Sequence, residues 1–473
     1  MENEIAFRIE KDSIGEKNVP KDVYYGIQTL RAVENFPMTG LSLHAQFVNS
    51  LAYIKKATAI ANLEANRIEK PIADAIIQAC DEIISVRLHN HFVVDPIQGG
   101  AGTSMNMNAN EVIANRAIEI LGGMKGDYTL VNPNDHVNYG QSTNDVIPTA
   151  GKITTLRLLK NLQAELTSLQ KAFEGKAKEF DGIIKMGRTQ MQDAVPVRLG
   201  QEFRAYADSV KRGIQRIEKV SPEMTTLNMG GTAIGTGINA DEVYFKNIVP
   251  ILSEVSGIRF EQADDLIDST MHLDPFVAVS GVVKACAVAL SKIANDLRLM
   301  SSGPRTGFGE INLPSRQNGS SIMPGKVNPV IPEVLNQAAF LVMGNDVTIT
   351  MAAEAGQLEL NAFEPITFHC LFQSIDILSH AVHTFTKNCV VGITANAEHC
   401  RNLVENSVGV ITALAPHIGY QHAADIAKRA IMTGQPVRKL ILEENLLPEG
   451  TLNLILNPMS LTQPGIPGKE LLK

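Results

Sequence analysis

Cysteine is scarce in this chain of 473 residues and never closely paired. Cys80, Cys286, Cys370, Cys389 and Cys400 are scattered, and no C-x-x-C pair occurs. An odd, dispersed set fits reduced thiols used as filler and excludes a disulfide framework. Dense basic runs are also missing, and the formal net charge is −8. That balance argues against nucleic acid or an anionic membrane as partner. The start, MENEIAFRIEKDSIG, is charged where a signal peptide needs an apolar core. The longest apolar stretches are interrupted by Lys, Asp or Asn, so no transmembrane helix is expected. The expectation is a cytoplasmic protein. Metal-ligand sets are lacking too. His380 and His383 lie one helical turn apart and His89 and His91 flank an Asn. Neither pair has the nearby third ligand that a closed zinc site needs, so no metal and no cofactor are assigned.

What is present is length and helical rhythm. A chain of this size exceeds one compact core and predicts two or three domains. Leu156, Leu159, Leu162, Leu166, Leu169 and Phe173 recur at the spacing of one helix face. Phe203, Tyr206, Val210, Ile214 and Ile217 repeat it. The stretches 276–300 and 332–356 are apolar nearly all round. Helices without a wide polar face must be covered on several sides, as in the middle of a bundle. A mainly α chain with a helical-bundle core, assembled as a homo-oligomer, is predicted. Boundaries are placed near 141 and 398, giving an N-terminal domain (1–141), a central bundle (142–397) and a small helical C-terminal domain (398–473).

Four polar segments interrupt the apolar pattern. QGGAGTSMNMNANEVIANRA (98–117) frees its backbone with glycines and then offers Thr103 and Ser104 at the start of a helical run. Helix starts of this kind present unpaired amides and suit carboxylates or phosphates. NPNDHVNYGQSTNDVIPTA (132–150) sets Ser142, Thr143 and Asn144 in a row, and GRTQMQDAVP (187–196) carries Arg188, Thr189 and Gln190. GSSIMPGKVNP (319–329) supplies Ser320, Ser321, Lys326 and Asn328 between glycines and prolines. Any one of these is adequately read as a helix cap with turn residues. Together they provide neutral donors, a few cations and few carboxylates, the chemistry for holding a small dianion. The fourth could close over a ligand. A serine there becomes basic only if cations and amides stabilise the alkoxide. No histidine is near Ser320 in sequence, so a Ser-His-Asp triad is not indicated, although the distant His136 or His369 could approach it in space.

GSSIMPGKVNP resembles the signature loop of the fumarase/aspartase superfamily, whose members release fumarate by β-elimination. The other three segments are similar to that superfamily's remaining active-site segments, in the same order, and the likeness covers essentially the whole chain. RIEKD…VPKDVYYGIQTLRAVENF (8–36) and GQLELNAFEP (356–365) look more like the aspartases than the class II fumarases. Position 190 is Gln where fumarases and some aspartases carry His. Glu333, which partners that His in fumarases, is present. The resemblance implies a mainly α, three-domain fold, with five long helices from each of four subunits forming a twenty-helix core. It implies active sites shared between subunits of a homotetramer. The implied reaction is reversible conversion of L-aspartate to fumarate and ammonia through an aci-carboxylate, with fumarate hydration as the alternative. By the same resemblance, Ser320 removes the Cβ proton. Thr103, Ser142, Thr143 and Ser321 hold the β-carboxylate. Lys326, Asn328 and Thr189 hold the α-carboxylate, and Asn144 and Gln190 contact the amino group.

Two other classes compete. GTGINA (235–240) has the spacing of a dinucleotide loop, but it needs a preceding strand and a βαβ unit, and the surrounding text reads as helical. A non-catalytic helical scaffold, as in the superfamily's lens proteins, is disfavoured by the intact Ser320, Lys326 and Asn328.

Overall fold

The computed structural model describes residues 6–319 and 321–472, so Ser320 lies outside the described residues. The chain is mainly helical, and among the described residues every sheet has only two strands. It divides into two compact units, each drawn from three separate stretches.

The first unit comprises 1–163, 215–287 and 340–378. Helices Ala45–Glu64, Lys70–Ile84 and Thr103–Ile120 pack together, and Glu242–Ser256 lies against the first of them. Their shared faces carry Leu51, Ile54, Ile76, Ile83, Val112 and Ile113, all fully buried. Full burial of one such side chain contributes roughly 1.5–3 kcal/mol. Strands Phe7–Asp12 and Gly15–Pro20 form an antiparallel hairpin with Phe7 opposite Pro20. Buried Glu111 accepts the amides of Gly26, Gln28 and Thr29, satisfying the first turn of helix Ile27–Asn35. The GQLELNAFEP segment ends a long helix in a similar way. Asn361 Nδ2 donates to the carbonyls of Ala352 and Ala353, the last turn of Val330–Glu354.

The second unit comprises 164–214, 288–339 and 379–473. Phe173 meets Phe203, Tyr206 and Phe385 at ring-centroid distances of 5.7–6.2 Å. Five short helices between Ala397 and Ile455 enclose Leu414, Ile426, Leu440, Ile441 and Leu452. Ile184 and Met186 of the hairpin Ile184–Thr189/Gln192–Arg198 enter the same core.

The predicted helical rhythm matches the structure closely. Thr143–Glu179 is a single helix of 37 residues. It buries Leu159, Leu162, Leu166, Leu169 and Phe173, with Leu156 half-buried. Leu199–Val220 buries Phe203, Tyr206, Val210 and Ile217, with Ile214 half-buried. The two apolar stretches are helices Asp274–Met300 and Val330–Glu354. The second leaves Val334, Phe340, Leu341, Val347 and Met351 exposed. These positions recur at helical spacing, so the single chain presents an uncovered apolar stripe.

Two expectations need correction. Asp274–Met300 is, by length and composition, apolar enough to cross a membrane, so charge interruptions alone do not exclude a span. Half of its apolar window is buried within the protein. The surroundings of GTGINA are not wholly helical either. Thr226–Leu227 and Glu261–Gln262 pair in parallel, with helix Glu242–Ser256 between them. Two residues per strand make no doubly wound sheet, and the Gly235 and Gly237 amides both donate to the Gly231 carbonyl.

All five cysteines are free and buried. Among the described residues no group of three or more His, Cys, Asp or Glu could hold a metal ion.

Candidate active site

The first unit carries Thr103, Ser142, Thr143 and Asn144. Helix Thr103–Ile120 begins after Gly102, whose φ of +86° is left-handed. A Cβ at Gly102 would lie 2.9 Å from Ile147 Cγ2, so glycine lets this helix start close against the Thr143–Glu179 helix. Thr103 is exposed, and its hydroxyl donates to the Gly100 carbonyl at 2.7 Å. Holding a carboxylate would require that hydroxyl to rotate away.

Ser142, Thr143 and Asn144 are half-buried at the start of the long helix. Ser142 Oγ accepts the Asn144 amide at 3.2 Å. Thr143 Oγ1 accepts from Asn106 Nδ2 at 3.4 Å, a bond that does not use its own proton. Asn144 Nδ2 donates to the Ala233 carbonyl at 2.7 Å, which fixes the amide plane.

Two buried charges underlie this row. Asp145 accepts the amides of Ser142, Gly230 and Thr232 at 3.0–3.2 Å, tying the hydroxyl row to the 230–237 loop. Burial pushes its carboxyl up to about 7, against the pull of those amides and of Lys55. Lys55 donates to Asn138 Oδ1 at 2.8 Å and to Gln141 Oε1 at 2.9 Å, and burial lowers it to about 7. Three amides aimed at Asp145, and two acceptor oxygens aimed at Lys55, favour the charged form of each. Asn106 donates to Asn138 as well as to Thr143, so the lysine reaches the hydroxyl row through two asparagines.

The second unit carries Thr189, Gln190, Ser321, Lys326 and Asn328. Thr189 pairs with Gln192, so Gln190 and Met191 form a two-residue hairpin tip. Both have positive φ, +51° and +64°. Such tips favour Asn or Gly, and each non-glycine residue there costs roughly 1–2 kcal/mol. Thr189 and Gln190 are exposed. The preceding Arg188 is held by Glu310, with Nη1 at 2.6 Å from Oε1.

The 319–329 loop folds back on itself. Asn328 Nδ2 donates to the Gly319 carbonyl at 3.2 Å. A Cβ on Gly319 would stand 1.8 Å from the Lys326 carbonyl, so only glycine allows this closure. Ser321 and Lys326 are exposed, and the Lys326 ammonium makes no ion pair among the described residues. Glu333 lies 3.6 Å from Arg298 Nη2.

Sequence reading missed Lys55, Asn106, Asn138, Asp145 and Glu310. Lys55 sits in the helical run AYIKKA beside exposed-looking Lys56, and nothing local marks which lysine is buried. Glu364 was also missed. It is fully buried, neither carboxylate oxygen has a hydrogen bond among the described residues, and burial drives its pKa well above the ordinary value.

The family described as Lyase matches residues 15–344, and that described as Fumarase C C-terminus matches 410–463. The chain is 56% identical to an aspartate ammonia-lyase of Bacillus subtilis (strain 168), over 99% of this chain and 98% of that one. It is 53% identical to an aspartate ammonia-lyase of Pseudomonas aeruginosa, over 97% of both. Its fold is similar to a fumarate lyase:delta crystallin from Brucella melitensis bound to cobalt. The TM-score there is 0.95 at 50% identity, covering 97% of this chain and 100% of that one. A class II fumarase from Schistosoma mansoni superposes with a TM-score of 0.93 at 35% identity, with the same coverage. With matched segments spanning most of its length and relatives this similar across nearly all of it, the chain belongs to the lyase family that includes the aspartate ammonia-lyases and class II fumarases.

Proposed function

We propose that this protein is a carbon–nitrogen lyase that converts L-aspartate reversibly to fumarate and ammonia. The observation that carries the reading is identity above 50% with aspartate ammonia-lyases over 97–99% of the chain. Fumarate hydration, the alternative, has weaker support: the class II fumarase is 35% identical, and Gln190 cannot exchange protons near neutral pH as His can.

The obstacle is removing a proton from an unactivated carbon beside a carboxylate. Charge then develops on that carboxylate as an aci-carboxylate, and preorganised donors stabilise it. In this reading Thr103, Ser142, Thr143 and Ser321 meet the β-carboxylate. The Thr143 proton, not used in the Asn106 hydrogen bond, suits that task. Lys326 and Asn328, with Thr189 from another subunit, meet the α-carboxylate. The exposed Lys326 ammonium, without an ion pair among the described residues, and the Asn328–Gly319 hydrogen bond suit it. Asn144 and Gln190 contact the amino group. Ser320 takes the Cβ proton as an alkoxide stabilised by the surrounding cations and amides. Glu333 is assigned no step.

The same proposal covers the assembly. The uncovered stripe of Phe340, Leu341, Val347 and Met351 is the surface a homotetramer would bury in a twenty-helix core. Active sites shared between subunits, the three-part division at 141 and 398, a cytoplasmic location and no nucleic-acid or membrane partner complete it.

Feeding the purified protein L-aspartate or L-malate, and following fumarate by ultraviolet absorbance, tests the reaction. Fumarate from aspartate alone is the expected result, and fumarate only from malate reverses the choice. Ser320→Ala is expected to lose nearly all turnover while keeping substrate affinity. A variant running at the parent rate would remove Ser320 as the base.

A further inference from the structure

We propose that Glu310 is a positioning residue for the substrate-binding hairpin tip, acting through Arg188. This rests on the reading that Thr189 and Gln190 contact substrate. Glu310 is fully buried. Its backbone is fixed on both sides: its amide donates to the Met300 carbonyl, and its carbonyl accepts from the Asn396 amide, each at 2.9 Å. Its carboxylate reaches two cations of one strand. Oε1 accepts from Arg188 Nη1 at 2.6 Å, and Oε2 lies 3.0 Å from the buried Lys185 ammonium. Lys185 also donates to both oxygens of Glu202, at 3.0 and 3.1 Å. The Arg188 guanidinium lies over the Phe308 ring at 4.2 Å, which fixes its plane.

A buried charge network is a poor way to gain stability, because desolvation offsets most of the attraction. What it supplies is a fixed geometry, and the hairpin needs one. The residues after Arg188 are Thr189 and then Gln190 and Met191, both held at positive φ. A tip strained in this way keeps its shape only if the strand beneath it is clamped. On the other strand, Asp193 accepts from the Ser407 hydroxyl at 2.8 Å, and a Cβ at Gly409 would stand 2.2 Å from the Ala194 carbonyl. The tip is therefore gripped on both strands, and Glu310 holds the first of them through Arg188 and Lys185. It also sits at the start of the stretch that leads into the 319–329 loop.

The test is a double-mutant cycle on the full-length protein. Glu310→Gln is expected to raise KM for L-aspartate about 10-fold while changing kcat less than about 3-fold, the pattern of lost uniform binding. Combined with Gln190→Ala, the two effects on KM should fall well short of multiplying, because both act through one contact. Hydrogen exchange at amides 189–192 should speed up in Glu310→Gln. If that variant does not fold, Arg188→Lys, which keeps the charge but loses the planar fork, carries the same expectations. KM values that multiply fully, or a tip whose exchange is unchanged in either variant, overturn the proposal. Faster tip exchange with a KM indifferent to Gln190→Ala would support the grip and remove the substrate role of the tip instead.

Discussion

Lys326 shows how much one residue can carry. Its ammonium is exposed on a loop and unpaired among the described residues, so removing it leaves no buried partner behind. Lys326→Met should therefore leave thermal stability nearly unchanged and lower kcat/KM for L-aspartate by about 10- to 100-fold, mainly through KM, the pattern of a lost hydrogen bond to a charged substrate group. Steady-state kinetics beside a melting curve checks both halves. The histidines behave differently. Burial holds His89, His91 and His369 below their ordinary value of 6.5. The unfolded chain takes up protons near that value while the folded chain resists, so their contribution is present above 6.5 and lost as pH falls through the lower folded value. Melting temperature should fall between pH 7 and pH 5. His91→Gln should flatten that fall, and an equally steep profile in the variant would remove the histidine from the account.

Among the elements, the 319–329 loop makes the sharpest demand on sequence. Gly319 packs against the Lys326 carbonyl closely enough that any Cβ forces the loop open. Gly319→Ala should cost more than about 10²-fold in turnover, since displacing a positioned group by about 1 Å has that effect. The fold should remain intact, because most of the loop is exposed. Activity near the parent level, with normal circular dichroism, would show that closure is not needed. The row at Ser142–Asn144 is built on the opposite principle. There the helix start is locked from below by the carboxylate of Asp145, and little has to move.

For the whole molecule, the unfinished surface is the informative feature. Phe340 and Met351 are 60% and 66% exposed, so a charge at either disturbs nothing inside the single chain. Phe340→Asp with Met351→Asp should yield a folded but smaller species by sedimentation and abolish lyase activity; an active tetramer would overturn the proposed assembly. Helix positions and the polar segments were legible in the sequence because both are local. Apolar residues at 159, 162, 166 and 169 mark a buried face by spacing alone, and glycines beside hydroxyls mark helix starts. The short parallel pair at Thr226 and Glu261 was not legible, since two residues leave no periodicity to read. Sequence by itself determined which donors the four polar segments offer, because hydroxyls, amides and lysine donate hydrogen bonds wherever the chain puts them. Only tertiary structure decided which charges stand behind them. Lys55, Asp145 and Glu310 come from distant parts of the chain, and desolvation, which makes a charge consequential, exists only once the surrounding elements have packed.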